Sequence, residues 1–356
     1  MRDIKLDPTK KGRWLAESYR SKKVFIDSFS IRRCINFLKG GYAFLAGKTH
    51  VPAAPSVLKA EISGVCNLKC SGCQLGSDPR AGTEKAREKV FMDIGVFQKA
   101  MDLFGKDLFV AYLYHKGEPL LNKNLPEYIA IAKENNVSTV ISTNLSVKLT
   151  DKEIKDLVRS GLTYLIASID GATQEVYEMN RVGGDLRLVL SNLKKIIETK
   201  KELKSKTPVV NFQYLLFEHN RHQLDRARTM AGELGADLFT RKTANPLLGN
   251  SANVFHDPVP GRKFPFRCPW LWHITVVCAD GTVLPCCFYD WFEKPEHFRV
   301  NIMDHQRSGD VWNHPAYVSN RKIVTDKKYF AANKERSFCG SCPLVKVFKP
   351  SNGSHV

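Results

Sequence analysis

Three cysteines, Cys66, Cys70 and Cys73, stand in the spacing C-x3-C-x2-C within Cys66-Asn67-Leu68-Lys69-Cys70-Ser71-Gly72-Cys73. Three thiolates on one short loop can hold three irons of a cubane 4Fe–4S cluster and leave the fourth iron open to a small molecule. A site closed by four cysteines cannot do that. The same loop also suits zinc, completed by a distant His or Cys. A second group, Cys268, Cys278, Cys286 and Cys287, is followed by Cys339 and Cys342, while Cys34 stands alone. Four of these later cysteines would equally suit a structural zinc on chemistry alone. Ten cysteines so clustered point to metal rather than to a disulfide framework.

Such loops need a scaffold, and the pattern between residues 57 and 243 supplies one. Runs rich in Val, Ile, Phe, Tyr and Thr predict strands over Val57–Ile62, Leu108–Tyr114, Ser138–Thr143, Tyr164–Ile169, Val209–Phe217 and Asp237–Thr243. Between them, helical periodicity covers Ile94–Phe104, Leu125–Glu134, Lys152–Ser160, Leu186–Leu203 and Gln223–Leu234. Alternation of this kind gives a parallel sheet of about six strands, with ligands at the carboxyl ends. The polar motifs fall at those ends: His115-Lys116-Gly117-Glu118-Pro119, Ser142-Thr143-Asn144, Ser168-Ile169-Asp170-Gly171, and Glu218-His219-Asn220 after a strand carrying Gln213. Ser168 and Asp170 share a face by the period of two. His115, Tyr177 and Asp170 are candidates to face a substrate. From about Asn245 the sequence turns Pro-, aromatic- and Cys-rich and loses helical periodicity, as in a small metal-stapled unit. The expected division is an N-terminal extension over 1–55, a barrel over 56–244 and a Cys-rich domain over 245–356.

The first cysteine loop, placed after a first strand, resembles the signature of the radical S-adenosylmethionine (radical SAM) superfamily. The resemblance implies an α/β fold, a partial (β/α)6 TIM-like barrel with a small Cys-rich C-terminal iron–sulfur domain. It implies that Cys66, Cys70 and Cys73 bind a 4Fe–4S cluster whose open iron chelates S-adenosylmethionine. One-electron reduction would then release methionine and a 5′-deoxyadenosyl radical that abstracts hydrogen from a substrate. Gly117, Glu118 and Pro119 match a segment that contacts the methionine amino group, and Asn144 matches the third strand end. Ser168 and Asp170 match a segment reaching the ribose and carboxylate, and Arg181 stands where relatives place a basic residue. Three positions depart from the pattern: Gly72 replaces a common aromatic, Lys116 a Gly, and Leu145 a Gly. Residues from Phe266 to Pro343, with Asp280-Gly281 as a hairpin turn, resemble the auxiliary-cluster domain called SPASM or twitch. That likeness implies one auxiliary 4Fe–4S cluster on Cys268, Cys286, Cys339 and Cys342, with Cys287 the alternative to Cys286. Cys278 and Cys34 are expected to be buried apolar residues. A reducing partner such as flavodoxin or ferredoxin is implied as well.

The chain of 356 residues carries a formal charge of +18, and residues 1–50 hold twelve Lys/Arg against four Asp/Glu. Such a balance suits a phosphate-bearing partner or an anionic membrane surface, or else a plain solvated basic face. No apolar run reaches the ~18 residues of a membrane span, and Met1–Lys11 lacks a signal-peptide core. The expected location is cytoplasmic, with possible peripheral membrane contact. In the basic extension, Val24–Lys48 combines Phe25, Phe29, Ile31, Ile35, Leu38, Tyr42 and Leu45 with Lys22, Lys23, Arg32, Arg33, Lys39 and Lys48. It reads either as a segment touching an anionic or lipid-linked small-molecule substrate or as a helix packed on the barrel flank. The favoured activity is oxidation or rearrangement of a phosphorylated or lipid-linked small molecule. Peptide maturation is the alternative, weakened because the first 55 residues lack a strand-and-helix leader-binding pattern. An RNA-modifying enzyme or a non-catalytic iron–sulfur or zinc scaffold is the third class. Nucleic acid is not an expected partner, since neither a methyl-accepting cysteine nor an RNA-binding module is evident.

Overall fold

The computed structural model describes residues 10–71, 73, 75, 91–243, 267–286 and 300–342. Helices α1 (Lys10–Asp27) and α2 (Ile31–Leu45) precede β1 (Val57–Ala60). Strands and helices then alternate: α3 (Ile94–Phe104), β2 (Val110–Tyr112), α4 (Leu125–Glu134), β3 (Ser138–Thr143), α5 (Asp151–Arg159) and β4 (Tyr164–Ser168). They continue through α6 (Gln174–Glu178), α7 (Leu186–Glu202), β5 (Val209–Leu216), α8 (Leu224–Leu234) and β6 (Leu238–Thr243). The cysteine-rich region contributes α9 (Trp270–His273), β7 (Ile274–Val277), β8 (Val283–Leu284), α10 (Ser308–Trp312), α11 (Pro315–Ile323), α12 (Lys327–Asn333) and α13 (Phe338–Ser341).

Local chemistry fixes these boundaries. Asp93 accepts from the Gly95 amide (2.7 Å) to start α3, and Asp185 accepts from Leu188 (3.1 Å) to start α7. Thr150 and Glu153 form a reciprocal capping box at α5. The sheet runs β6-β5-β4-β3-β2-β1-β7-β8, parallel throughout except that β8 returns antiparallel to β7. Its barrel is not closed. All six expected strands are present, and two more from the cysteine-rich region extend the same sheet past β1. Those two hold four and two residues, too short to show a period in the sequence.

Val110, Val140, Tyr164, Ile166, Val209 and Leu238 gather on the inner face, most of them near the amino ends of their strands, and Val24 of α1 packs into them. Ser28, just after α1, accepts from the Ser138 amide (2.9 Å) and shares a hydroxyl bond with that side chain (2.7 Å). The N-terminal helices therefore close the amino end of the barrel and leave the carboxyl end to the motifs.

A buried arginine fastens the C-terminal region. Arg321 donates from Nε to Leu271 O (2.9 Å) and from Nη1 to Thr49 O (3.0 Å) and Asn313 Oδ1 (3.2 Å). Its guanidinium stands 4.7 Å from the Trp312 ring centroid and 5.3 Å from that of Tyr317. Burial pulls it down to about 9, still protonated at neutral pH. Asn313 clasps Val51 through both backbone groups (2.8 and 3.0 Å). We expect Arg321→Met to cost about 3 kcal/mol, because buried carbonyls lose their donors. Guanidinium denaturation checks this, and an unshifted midpoint would contradict it.

Candidate cluster and cofactor site

The Cys66–Cys73 loop leaves the carboxyl end of β1 and is pinned by its neighbours. Lys69 donates its amide to Val182 O (3.0 Å) and Ser71 to Asn180 O (3.1 Å). Asn67 Nδ2 donates to Ser146 O (2.6 Å), and Ser71 Oγ to Asn180 Oδ1 (3.0 Å). Three N–H groups address the sulfurs. Leu68 N (3.5 Å) and Asn144 Nδ2 (3.7 Å) reach Cys66 Sγ, and Arg181 Nη1 reaches Cys70 Sγ (3.8 Å). Burial, with Glu118, Cys70 and Cys73 adding to it, pushes the Cys66 thiol up to about 12. Cys70 is also raised by burial, and Arg181 opposes the rise.

Beneath the loop, the end of β2 comes very close. Gly117 N donates to Ser63 O (3.2 Å) and Glu118 N to Val65 O (2.8 Å). A Cβ on Gly117 would stand 2.3 Å from Ser63 O and 2.5 Å from Val65 O, so only glycine fits. Glu118 is buried and accepts from Leu120 N (3.0 Å), Thr143 Oγ1 (2.6 Å) and Asn144 N (2.8 Å). Three of its four acceptor positions are thus taken by β2 and β3, leaving one on Oε2. Burial raises its carboxyl above the usual range while those donors oppose the rise. Pro119 opens the short turn that follows. Leu145, where the motif has glycine, adopts φ +55°, the left-handed conformation glycine would take at no cost.

Asp170 joins the rest. Fully buried, it accepts from Leu215 N (2.9 Å), Asn180 Nδ2 (2.8 Å) and Arg181 Nε (2.6 Å). Arg181, expected as a basic position, takes Asp170 itself as its carboxylate partner. Ser168 and Ser142 hydroxyls meet at 3.2 Å across β3 and β4. His115 is half-buried at the end of β2. Tyr177 is fully buried against Gly171 and Gly184, within electrostatic reach of Arg181, Asp170, Cys70 and Glu118. Asn67 and Asn180 were missed as site residues. Asn180 lies beside Arg181 in a segment already singled out, but which side chain it serves depends on the fold.

In the C-terminal region, Cys268 and Cys342 are near enough to Cys339 to push its thiol up, together with burial. Cys286 follows β8 and is felt by Tyr317. Cys339-x2-Cys342 is held by Ser337, which accepts from Cys339 N (3.1 Å) and donates to Asn320 Oδ1 (2.7 Å). Gly281 turns the β7–β8 hairpin at φ +85°. Cys278 is buried as expected; Cys34 is only half-buried. Cys287 and Gly72 lie outside the described residues.

Soft thiolate donors with N–H groups aimed at sulfur fit an iron–sulfur group. Among the described residues, no three His, Cys, Asp or Glu side chains converge closely enough to hold one ion. Two outcomes follow. Gly117→Ala should displace the Cys loop and lower iron from about eight to about four per chain; full iron content would refute the close approach. The Cys66 thiol, pushed up to about 12 by burial, stays protonated at neutral pH, and ligation needs thiolate. Anaerobic cluster assembly should therefore release protons and run faster near pH ~8.5 than near pH ~7, as absorbance kinetics would report; a pH-independent rate would contradict this.

The radical SAM superfamily model matches residues 60–230, and an iron–sulfur cluster-binding domain model matches residues 268–343. A probable GTP 3′,8-cyclase of Methanocaldococcus jannaschii is 29% identical over 187 residues, covering 51% of this chain and 56% of the relative. The PqqA peptide cyclase of Granulibacter bethesdensis is 27% identical over 186 residues, 51% of this chain and 45% of the relative. The chain thus spans about half the length of the curated relatives it matches. The crystal structure of Streptococcus suis SuiB bound to S-adenosylmethionine superposes with a TM-score of 0.56 at 13% identity, covering 79% of this chain and 69% of SuiB, a likeness of fold. The two matched regions imply a 4Fe–4S cluster with S-adenosylmethionine in the first and auxiliary iron–sulfur binding in the second. The thiol loop at the carboxyl ends of a parallel sheet and both family matches lead to one assignment: the chain belongs to the radical SAM superfamily and carries a C-terminal SPASM-type iron–sulfur domain.

Proposed function

We propose that the protein reductively cleaves S-adenosylmethionine and uses the resulting radical to oxidise or rearrange a phosphorylated or lipid-linked small molecule. The observation that carries the first half is the half-buried loop of three thiols at the strand ends, with N–H donors aimed at two of its sulfurs. Cys66, Cys70 and Cys73 would hold the 4Fe–4S cluster, and Cys268, Cys286, Cys339 and Cys342 one auxiliary cluster. When bound, the first cluster supplies the electron that breaks the sulfonium bond to give methionine and a 5′-deoxyadenosyl radical.

The protein's own part is to bind and orient. Leu68 N and Asn144 Nδ2 would donate to the Cys66 sulfur once it ligates as thiolate, and Arg181, itself aligned by Asp170, would do so for Cys70. Gly117, Glu118 and Pro119 form the wall for the methionine end, where the remaining Glu118 lone pair can accept from an ammonium. Asn144, Ser168 and Asp170 frame the opposite wall. Lys59 shares the inward face of β1 with Val57, and its Nζ stands 5.2 Å from the Tyr114 ring centroid. A cation inside the barrel supports an anionic substrate.

A cytoplasmic site with a flavodoxin or ferredoxin as electron donor completes the reading, with the expected boundaries near residues 55 and 244. No helix among the described residues is long and apolar enough to cross a membrane. The PqqA peptide cyclase relative favours peptide modification as a second reading.

Anaerobically reconstituted protein, reduced with dithionite and given S-adenosylmethionine, should form 5′-deoxyadenosine and methionine in equal amounts. Cys70→Ala should lose this activity by several orders of magnitude. No 5′-deoxyadenosine from iron-loaded protein would overturn the proposal.

A further inference from the structure

Helix α2 is amphipathic in the reverse sense. Arg33, Asn36, Gly40 and Ala43 are buried against the protein. Ile31, Ile35, Leu38, Tyr42 and Leu45, at i, i+4, i+7, i+11 and i+14, form one stripe facing solvent. Ile31 is 72% exposed, Leu38 68% and Leu45 70%, and Ile26 and Phe29 just before the helix are exposed too.

This orientation is imposed by the buried side. Arg33 Nη1 donates to Ser28 O and Asn136 O (both 2.8 Å), and Nη2 to Gly105 O (3.0 Å) and Asn135 O (2.6 Å). Asn36 pairs with both backbone groups of Ala54 (2.9 and 2.8 Å), and Arg32 bonds Asp107 (2.8 Å). A Cβ on Gly40 would meet the His273 ring at 2.9 Å and Trp272 O at 3.1 Å. Turning the stripe inward would strip four hydrogen bonds from a buried guanidinium.

Two further observations indicate what covers the stripe. Of the seven Lys/Arg over residues 20–48, Arg33 is buried and Arg32 and Lys23 are ion-paired with Asp107 and Asp27, while Lys22, Lys39 and Lys48 stand exposed around the stripe. A second copy of this face would set those cations against each other, whereas anionic headgroups complement them. Beside the stripe, a groove of about 550 Å³ opens between α1, α2 and the starts of β1 and β2, lined by Val24, Phe25, Phe37, Leu38, Phe109 and Val110. Leu38 belongs to both stripe and groove.

We propose that this face docks on an anionic phospholipid surface, with the α2 stripe entering the boundary between headgroups and acyl chains and the groove giving room to one chain. Because α2 packs at the amino ends of the strands, the docked enzyme keeps its thiol loop on the side away from the bilayer. Docking thus determines location and does not depend on whether the substrate is lipid-linked.

Flotation of the full chain with vesicles of phosphatidylcholine alone, or mixed with phosphatidylglycerol, tests it. The protein should float with the mixed vesicles, less so at high salt, and far less with phosphatidylcholine alone. Leu38→Glu and Leu45→Glu should each reduce partitioning at least about tenfold, and Lys39→Glu should weaken it while leaving 5′-deoxyadenosine formation intact. Each variant's iron content and S-adenosylmethionine cleavage report folding and the active site separately from the surface. Equal flotation of Leu38→Glu and the unaltered protein would overturn the proposal. So would absence of flotation together with a dimer that Leu38→Glu converts to a monomer, which would assign the stripe to a second copy.

Discussion

The buried ion pair between Asp170 and Arg181 is the contact on which the site depends. Its 2.6 Å bond joins a fully buried Asp170 to an Arg181 side chain that is only 14% exposed, so that removing Arg181 would leave Asp170 as a bare buried charge. Removing one member of such a pair costs about 3–5 kcal/mol. The pair also does something that a well-packed apolar substitute could not. Asp170 takes its remaining bonds from Leu215 on β5 and from Asn180, and Asn180 in turn fixes Ser71 in the cysteine loop. Arg181 extends the same line to Cys70 Sγ. One carboxylate thus sets the spacing between two strand ends and the loop that carries the thiols.

The sheet explains how two cysteine regions far apart in sequence come to share a framework. β7 pairs with β1 in register, Lys59 beside Val276 and Ala60 beside Val277. The first cysteine loop leaves β1 only a few residues later, and Cys278 follows β7 directly. Glu61 accepts from the Ala279 amide (3.3 Å) across that seam. Asn313 and Arg321 then bind the segment that leads into β1, so the C-terminal region holds the first strand from both ends. A rigid separation between the two thiol groups is what electron exchange, or a shared substrate wall, would require.

The strand and helix spans were largely legible because they rest on local chemistry: β-branched runs, caps such as Asp93 and Thr150, and helical periods. The cysteine spacing and the strand-end motifs were legible for the same reason. Partnerships across turns were not. That Arg181 meets Asp170, that Glu118 spends most of its acceptors on β2 and β3, and that Tyr177 lies under Gly171 all depend on backbone paths no short window encodes. The hairpin at Asp280-Gly281 was legible, but its joining the main sheet through β1 was not, because that pairing links residues more than two hundred positions apart. Leu145 illustrates a subtler limit. Its departure from glycine shows in the sequence, but what the position demands, a left-handed backbone at φ +55°, does not. Bonds from Asn192 to Leu145 O (2.9 Å) and Val147 O (2.8 Å) hold the turn despite the side chain.

Electron paramagnetic resonance of the dithionite-reduced protein, with and without S-adenosylmethionine, tests the central claim most directly. The account predicts a reduced 4Fe–4S signal whose g values shift when S-adenosylmethionine is added, and loss of that responsive signal in Cys66→Ser while the auxiliary signal remains. A signal indifferent to S-adenosylmethionine, or a responsive one that survives Cys66→Ser, would contradict it.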